Sequence, residues 1–470
     1  MIPTTSEPGT TREAAAPVDE LPLRAEHLDQ LERELTNEPD ETLSRIRRSW
    51  DASVTEEQVW ALIDRARATL AEPRAALAAS EAARCIDPAV NVPLPDSFDF
   101  PGRTPEIPID PTDCRFETER DALGWILHAG PLWLKYRYHP EKADFRWADD
   151  APSRFIYEMP TLTRPIEIAL FSDFGTGLYH SRYIARQLAG RRPDYAIHLG
   201  DVYYAGKASE FGAYFTPVLE PLLATTRVFA LNSNHEMLSG GQFYFEYLDQ
   251  KHRSAPPPAQ EQEGSYFCLR SSRFQFVAVD TDYHHDGGYA ARLREPRLRA
   301  WLRQRLDEGR AAGLVNVLLT ANEPYEVGKP ALTPLFATDL ADVLADGLVD
   351  LWFWGNTHYC ALFERSPRTP FVGCCIGHGG YPYTRKRDAD CAGTPTGVRF
   401  LETSARFPKW TGVRQDRGNN GYLALSLRPD GSVALELIDW MGTSRHRDLL
   451  VRASVGPHLD FAAAAAPTRR

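Results

Sequence analysis

Between residues 165 and 355 the chain repeats one phrase. A short apolar run ends abruptly in small polar or acidic residues, and a stretch with apolar positions three and four apart follows. Ile166–Phe171 closes on Ser172-Asp173-Phe174-Gly175, Tyr195–Leu199 on Gly200-Asp201, and Arg227–Leu231 on Asn232-Ser233-Asn234-His235-Glu236. Ser265–Leu269, Phe274–Asp280, Val315–Thr320 and Val349–Trp354 are further strand-like runs. Ser181–Gly190, Arg294–Gly309 and Ala337–Asp346 carry the spacing of amphipathic helices. Strands alternating with helices predict an α/β domain with largely parallel pairing. Tyr422–Leu427 and Val433–Asp439 predict a terminal hairpin, and Trp352 and Trp354 alternate as core residues would.

Upstream the grammar differs. Residues 1–18 are polar and aperiodic, which predicts disorder. From Asp19 to Arg84 leucines recur at turn-like spacing, and Thr55-Glu56-Glu57-Gln58 resembles a capping box, so two or three helices are expected. They serve either as a packing appendage or as a partner-binding module. Pro88–Pro111 reads as an extended linker, and the aromatic-rich stretch 112–160 as a segment folded onto the main domain. The expected organisation is a disordered 1–18, an appendage over 19–160, a catalytic-type domain over 161–445 and a tail over 446–470.

Composition narrows the partners. Seven cysteines form no CxxC pair, and Cys374 and Cys375 lie inside the apolar run Phe371–Ile376, so reduced core thiols are expected. The net charge of −11, without a Lys/Arg cluster, disfavours nucleic acid, which needs a positive field. No run approaches the roughly 18 apolar residues of a membrane span, and no basic segment precedes an apolar one as in a secretory leader. A cytoplasmic protein without a membrane partner is expected. The sequence leaves its oligomeric state open.

The polar residues sit where strands stop: Asp173; Asp201 and Tyr204; Asn234 and His235; Asn322 and Glu323; Asn356 and His358. In open α/β sheets the C-terminal ends of strands converge on one rim. Groups nearly 190 residues apart in sequence are thereby expected to meet. Carboxylates, imidazole and amide oxygens gathered there suit hard to borderline cations.

These blocks resemble those of the calcineurin-like metallophosphoesterases. Ser172-Asp173-Phe174-Gly175, Gly200-Asp201-Val202-Tyr203-Tyr204, Ser233-Asn234-His235-Glu236, Ala321-Asn322-Glu323-Pro324 and Gly355-Asn356-Thr357-His358 follow the family's order. The Gly-Asp-x-x-Tyr block is similar to the purple acid phosphatase branch. The resemblance covers residues 164–445 and implies a metallophosphoesterase-type β-sandwich flanked by helices, here with an N-terminal helical appendage. It implies a first metal (Fe, Mn or Zn) on Asp173, Asp201, Tyr204 and His358. A second would be bridged by Asp201 and bound by Asn234. His235 would protonate the leaving group or stabilise the transferred phosphoryl charge.

Two positions depart from the pattern. Asn322 and Asn356 stand where the family has histidines on the second metal. A second site of Asp201 with Asn234, Asn322 and Asn356 would be all oxygen, favouring Mg²⁺, Mn²⁺ or Ca²⁺. Either asparagine could instead stand behind the ligands. Glu323 is a replacement ligand or a surface carboxylate. Asp282, His284, His285 and His378 are substrate contacts, or residues of loops and core. The expectation is a metal-dependent hydrolase of a small phosphate mono- or diester. The alternatives are a non-catalytic binding relative, or a mononuclear metal enzyme of redox or lyase chemistry.

Overall fold

The computed structural model describes residues 142–148, 154–254, 262–284, 292–406, 416–453 and 458–462, with scattered positions between 29 and 67. Two sheets face each other. The first is ordered β15-β14-β13-β12-β2-β3-β4. It contains β2 (Ile166–Phe171), β3 (Tyr195–His198), β4 (Arg227–Ala230), β12 (Gly421–Leu427), β13 (Val433–Asp439), β14 (Ser444–Arg452) and β15 (Leu459–Phe461). The second is ordered β1-β5-β6-β7-β8-β10-β9-β11. Its strands are β1 (Ile156–Glu158), β5 (Phe267–Arg270), β6 (Phe274–Ala278), β7 (Val315–Thr320), β8 (Leu351–Trp354), β9 (Cys360–Phe363), β10 (Val372–Ile376) and β11 (Val398–Leu401).

The pairing is more mixed than expected. β2, β3 and β4 run parallel, as do β6, β7, β8 and β10. The first sheet is then extended antiparallel from β12 to β15, past the expected boundary at 445. β14 was hidden because charged Arg445, Arg447 and Asp448 interrupt any apolar alternation. Strands β1, β9 and β11 are only three or four residues long and give no sequence signal.

Apolar inner faces explain the sandwich. Ile168 and Leu170 of β2 and Leu423 and Leu425 of β12 share one buried cluster with Phe276, Val317 and Phe353 of the opposite sheet. On the outer side of β2–β4, Phe171, Ala196 and Val228 meet helices α1 (Tyr179–Arg191), α2 (Thr216–Leu223) and, beyond the short helix α3 (Asn234–Leu238), α4 (Gln242–Ser254). Helix α5 (Pro296–Ala311) presents Leu298, Leu302 and Leu306, one face at four-residue spacing, to the second sheet. Burying each such side chain stabilises the fold by about 1.5–3 kcal/mol. The expected helix Ala337–Asp346 is two pieces, a π-turn at Leu335–Asp339 and α6 (Ala341–Ala345). Asp339 is tied to the Arg292 guanidinium and the Leu293 N–H.

Trp352, Trp354, Cys374 and Cys375 are buried, and the described cysteines are free thiols. Phe145 and Trp147 pack on Tyr266, Tyr283 and His284, so this piece of the aromatic-rich segment does lie on the domain. The described positions between 29 and 67 are helical, with Leu35, Val59 and Ile63 buried and Arg67 paired with Asp29 and Glu32. The expected disorder over 1–18 and the linker over 88–111 lie outside the described residues. No helix among the described residues is long and apolar enough to cross a membrane.

Candidate metal centre

Ladder hydrogen bonds carry the strand ends to one rim. Leu199 N–H donates to Phe171 O, Leu231 N–H to His198 O, and Gly355 N–H to Ala321 O, so the turns after β2, β3, β4, β7 and β8 stack side by side. Four site residues there have left-handed backbones: Asp173 (φ 55°), Asp201 (φ 79°), Asn356 (φ 64°) and His358 (φ 45°). Residues with a β-carbon rarely adopt this region, and each such conformation costs on the order of 1–3 kcal/mol. The surroundings hold them there. Asp173 donates its N–H to Gly200 O and accepts at its carbonyl from Tyr381 N–H. Gly355 leaves no room for a side chain, since an added β-carbon would overlap Ser172 Oγ and lie 2.9 Å from Asp173 Oδ2.

Asp173, Asp201 and His358 offer ligand atoms that all lie within 4.8 Å of one another. His358 Nε2 is 3.2 Å from Asp173 Oδ1. The tyrosine that joins them is Tyr203, not the expected Tyr204. Its hydroxyl lies 2.7 Å from Asp173 Oδ1, 2.8 Å from Asp201 Oδ2 and 2.9 Å from His358 Nε2. Tyr204 instead packs with Leu178 and Tyr381, and its N–H and that of Ala205 donate to the Glu210 carboxylate. Two adjacent tyrosines differ in sequence only by register, and the Glu210 contact fixes that register.

The charges around the triad are unbalanced. Burial pushes Asp173 up, but the His358 hydrogen bond and charge outweigh it and hold the carboxyl well below its ordinary range. Asp201 goes the other way: burial, then Asp173 and Glu236, raise it well above the usual carboxylate value. Burial also pushes Glu236 up to about 7 against the Ser233 hydrogen bond. A divalent cation among these acids favours their ionised forms. The donor set therefore fits a metal ion.

His235 is fixed by its backbone neighbour. Nδ1 lies 2.7 Å from Tyr204 O, so it carries the proton and donates, leaving Nε2 3.8 Å from Asp201 Oδ2. Burial lowers the ring to about 4, although the Tyr204 carbonyl opposes this.

The asparagines are not alike. Asn234 begins α3, and its buried Oδ1 has no hydrogen-bond partner. Asn356 donates its N–H to Asp173 Oδ2 (3.0 Å) and its amide Nδ2 to Glu323 Oε2 (2.7 Å), which leaves its oxygen free. Asn322 is the reverse: its Oδ1 accepts from Thr281 Oγ1 at 2.7 Å, and its buried Nδ2 has no partner. Asn322 thus leaves free a donor and not the ligand atom expected of it.

The remaining expected contacts fall away from the rim. His284 packs between Phe145 and Trp147, with ring centroids 4.5 and 5.4 Å away. His378 is buried beside Cys360, with its Nε2 3.0 Å from where a Gly421 β-carbon would stand. Each has one buried ring nitrogen, His284 Nε2 and His378 Nδ1, that meets no hydrogen-bond partner. His285 lies outside the described residues. Sequence reasoning missed Tyr381, which stacks on His358 at 4.4 Å, and the Ser233–Glu236 pair behind Asp201. Only the run Gly377-His378-Gly379-Gly380 hinted at the close backbone approach that sets Tyr381.

Residues 166–360 match the family model described as calcineurin-like phosphoesterase. Over these residues the chain carries a calcineurin-like phosphoesterase domain. Among solved structures it is similar to GAP50, the anchor in the inner membrane complex of Plasmodium, at 11% identity, covering 64% of this chain and 90% of that one, with a TM-score of 0.45. It is also similar to the purple acid phosphatase PPD1 from yellow lupin (Lupinus luteus) seeds, at 14% identity, covering 62% and 54%, with a TM-score of 0.43. A dimetal phosphatase from Danio rerio gives 12% identity, 60% and 98% coverage and a TM-score of 0.40. No curated protein matches the sequence significantly.

Proposed function

We propose that this domain is a metal-dependent phosphoesterase that hydrolyses a small phosphate mono- or diester. The observation that supports it is the meeting of Asp173, Asp201, His358 and the Tyr203 hydroxyl within hydrogen-bonding distance on the strand-end rim. These four residues would hold a first cation, Fe, Mn or Zn. Asp201, with the amide oxygens of Asn234 and Asn356, would hold a second, harder ion such as Mg²⁺ or Mn²⁺. When bound, such ions supply Lewis acidity toward phosphorus and a water of lowered pKa.

The chain's own residues do the rest. Asp201 offers one carboxylate to both subsites, and Ser233 Oγ, 2.5 Å from Asp201 Oδ1, keeps that carboxylate from rotating. Tyr381 stacks on His358 and fixes its ring plane. His235 is held through Nδ1, so only Nε2 can exchange a proton with a bound ester. A phosphate anion against Nε2 favours the protonated ring, which then gives its proton to the leaving oxygen.

A second reading, a non-catalytic binding protein on the same fold, is favoured by Tyr203 itself. Its single hydroxyl already lies within hydrogen-bonding distance of three of the groups a cation would bind. Metal analysis and turnover separate the two. The hydrolase keeps about one equivalent of metal through dialysis, takes a second when Mg²⁺ or Mn²⁺ is added, and then cleaves an aryl phosphate. Metal-free protein with no cleavage under any added cation overturns the hydrolase reading.

A further inference from the structure

Asn322 sits in the middle of the rim. Its neighbour Ala321 lies against the Gly200 turn and accepts from Gly355 N–H, and Glu323 holds Asn356. Its side chain is 1% exposed, and the two ends of its amide have unlike surroundings. The oxygen accepts from Thr281 Oγ1, and the nitrogen meets no acceptor. A buried donor left without an acceptor is destabilising. Such a group in a functional rim calls for an acceptor that arrives from outside the chain.

The contacts behind Asn322 favour this orientation. Thr281 Oγ1 also lies 3.1 Å from Asp282 Oδ2, and a hydroxyl has one proton to give. Asp282 is 3% exposed, and burial, then Asp280, push its carboxyl well above the ordinary range. The Asn322 oxygen, at 2.7 Å, is the nearer of the two acceptors of the Thr281 hydroxyl, and with that oxygen engaged the Asn322 NH₂ points onward. Asn356 is set the opposite way, its NH₂ spent on Glu323 and its oxygen free. One amide thus offers an acceptor to a cation, and the other a donor to an anion.

We propose that Asn322 is a substrate-contacting hydrogen-bond donor, binding an anionic oxygen of the phosphate through Nδ2, with Thr281 as the residue that positions it. This deepens the phosphoesterase reading and rests on it. It assigns Asn322 to the substrate and leaves the second cation to Asp201, Asn234 and Asn356. A neutral amide donor suits a phosphoryl oxygen at any pH, because it does not titrate.

Inorganic phosphate and Mn²⁺ serve as probes, each titrated calorimetrically into the full chain, with melting temperature as the check on folding. Asn322→Ala, and separately Asn322→Asp, should weaken phosphate binding to the Mn²⁺-loaded protein by about 10–100-fold, the worth of one hydrogen bond to a charged group. Neither should weaken Mn²⁺ binding. Thr281→Val should follow in the same direction, and Thr281→Ser should restore phosphate affinity. If phosphate affinity is unchanged in Asn322→Ala, or Mn²⁺ binding falls in Asn322→Ala and rises in Asn322→Asp, then Asn322 is a cation ligand or a bystander and the proposal is wrong. In that case the phosphoesterase reading stands. Wild-type protein that binds neither probe would overturn both.

Discussion

Around Asp173 every carboxylate oxygen is met: Oδ1 by Tyr203 and His358, Oδ2 by the Asn356 N–H. A few residues away the asparagines leave polar atoms over, Asn234 Oδ1 and Asn322 Nδ2, both buried and without partners. In the first half of the rim the carboxylate oxygens are paired within the protein, and in the second half two amide atoms are not. Buried polar atoms without partners are destabilising, so a fold keeps them where a ligand supplies the missing contacts. Tight and adaptable parts of one site can thus lie on neighbouring strand ends. What separates them is whether each polar atom has found a protein partner.

The largest effect is expected at Asp201, the residue proposed to serve both halves. Asp201→Asn should lower aryl phosphate hydrolysis by about 10³-fold or more, the scale of losing a principal electrostatic group, and more than Asp173→Asn does. Near-wild-type turnover with unchanged metal content would show that no carboxylate is shared. His235→Ala should cost about 10²–10⁴ in rate, with bound metal unaltered as measured by elemental analysis. Loss of metal with the ring would instead place His235 among the ligands.

Smaller effects sharpen each half. Asn356→His should tighten zinc at the second subsite about tenfold or more, because one ring nitrogen can donate to Glu323 while the other faces the ion. Competition with a zinc chelator measures this. Tyr203→Phe should lower the stability of chelator-treated protein by about 1–3 kcal/mol, whereas Tyr204→Phe should have the smaller effect in the same denaturant melt. Equal losses would mean that the two tyrosines share the work.

The smallest effect is a slope with pH. Glu236 holds its proton up to about 7 in the fold, against 4.5 for an ordinary glutamate. Folded protein therefore binds more protons than unfolded protein between these values, and stability falls as pH rises from 4.5 through about 7. Melting temperatures of chelator-treated protein should show this fall, and Glu236→Gln should flatten it. An identical slope in the variant would assign the pH dependence to other buried acids.

Much of this was legible in the sequence, for reasons that can be named residue by residue. Ile166–Phe171 and Val315–Thr320 announced themselves because a strand buried on both faces must be apolar throughout. Asp173, Asp201 and His358 stood out as lone polar groups at strand ends, and they do meet. Tyr203 was illegible against Tyr204, since one residue of register decides which ring enters the site. His284 and His378 looked like rim contacts because they follow strands. Whether a loop turns toward the rim or back onto Phe145 and Cys360 depends on packing partners far away in sequence.

The α/β order, the five strand-end blocks and the kinds of atom available to a ligand are all written in the sequence. These are local matters of periodicity and residue type, and neighbouring residues encode them. The tertiary structure alone decided which atom each polar residue has left to give. Asn322 and Asn356 are the same amide in sequence. Thr281, 41 positions from Asn322, claims the oxygen of one, and Glu323, 33 positions from Asn356, claims the nitrogen of the other. An amide has a donor end and an acceptor end of nearly equal shape, so only its partner in space chooses between them.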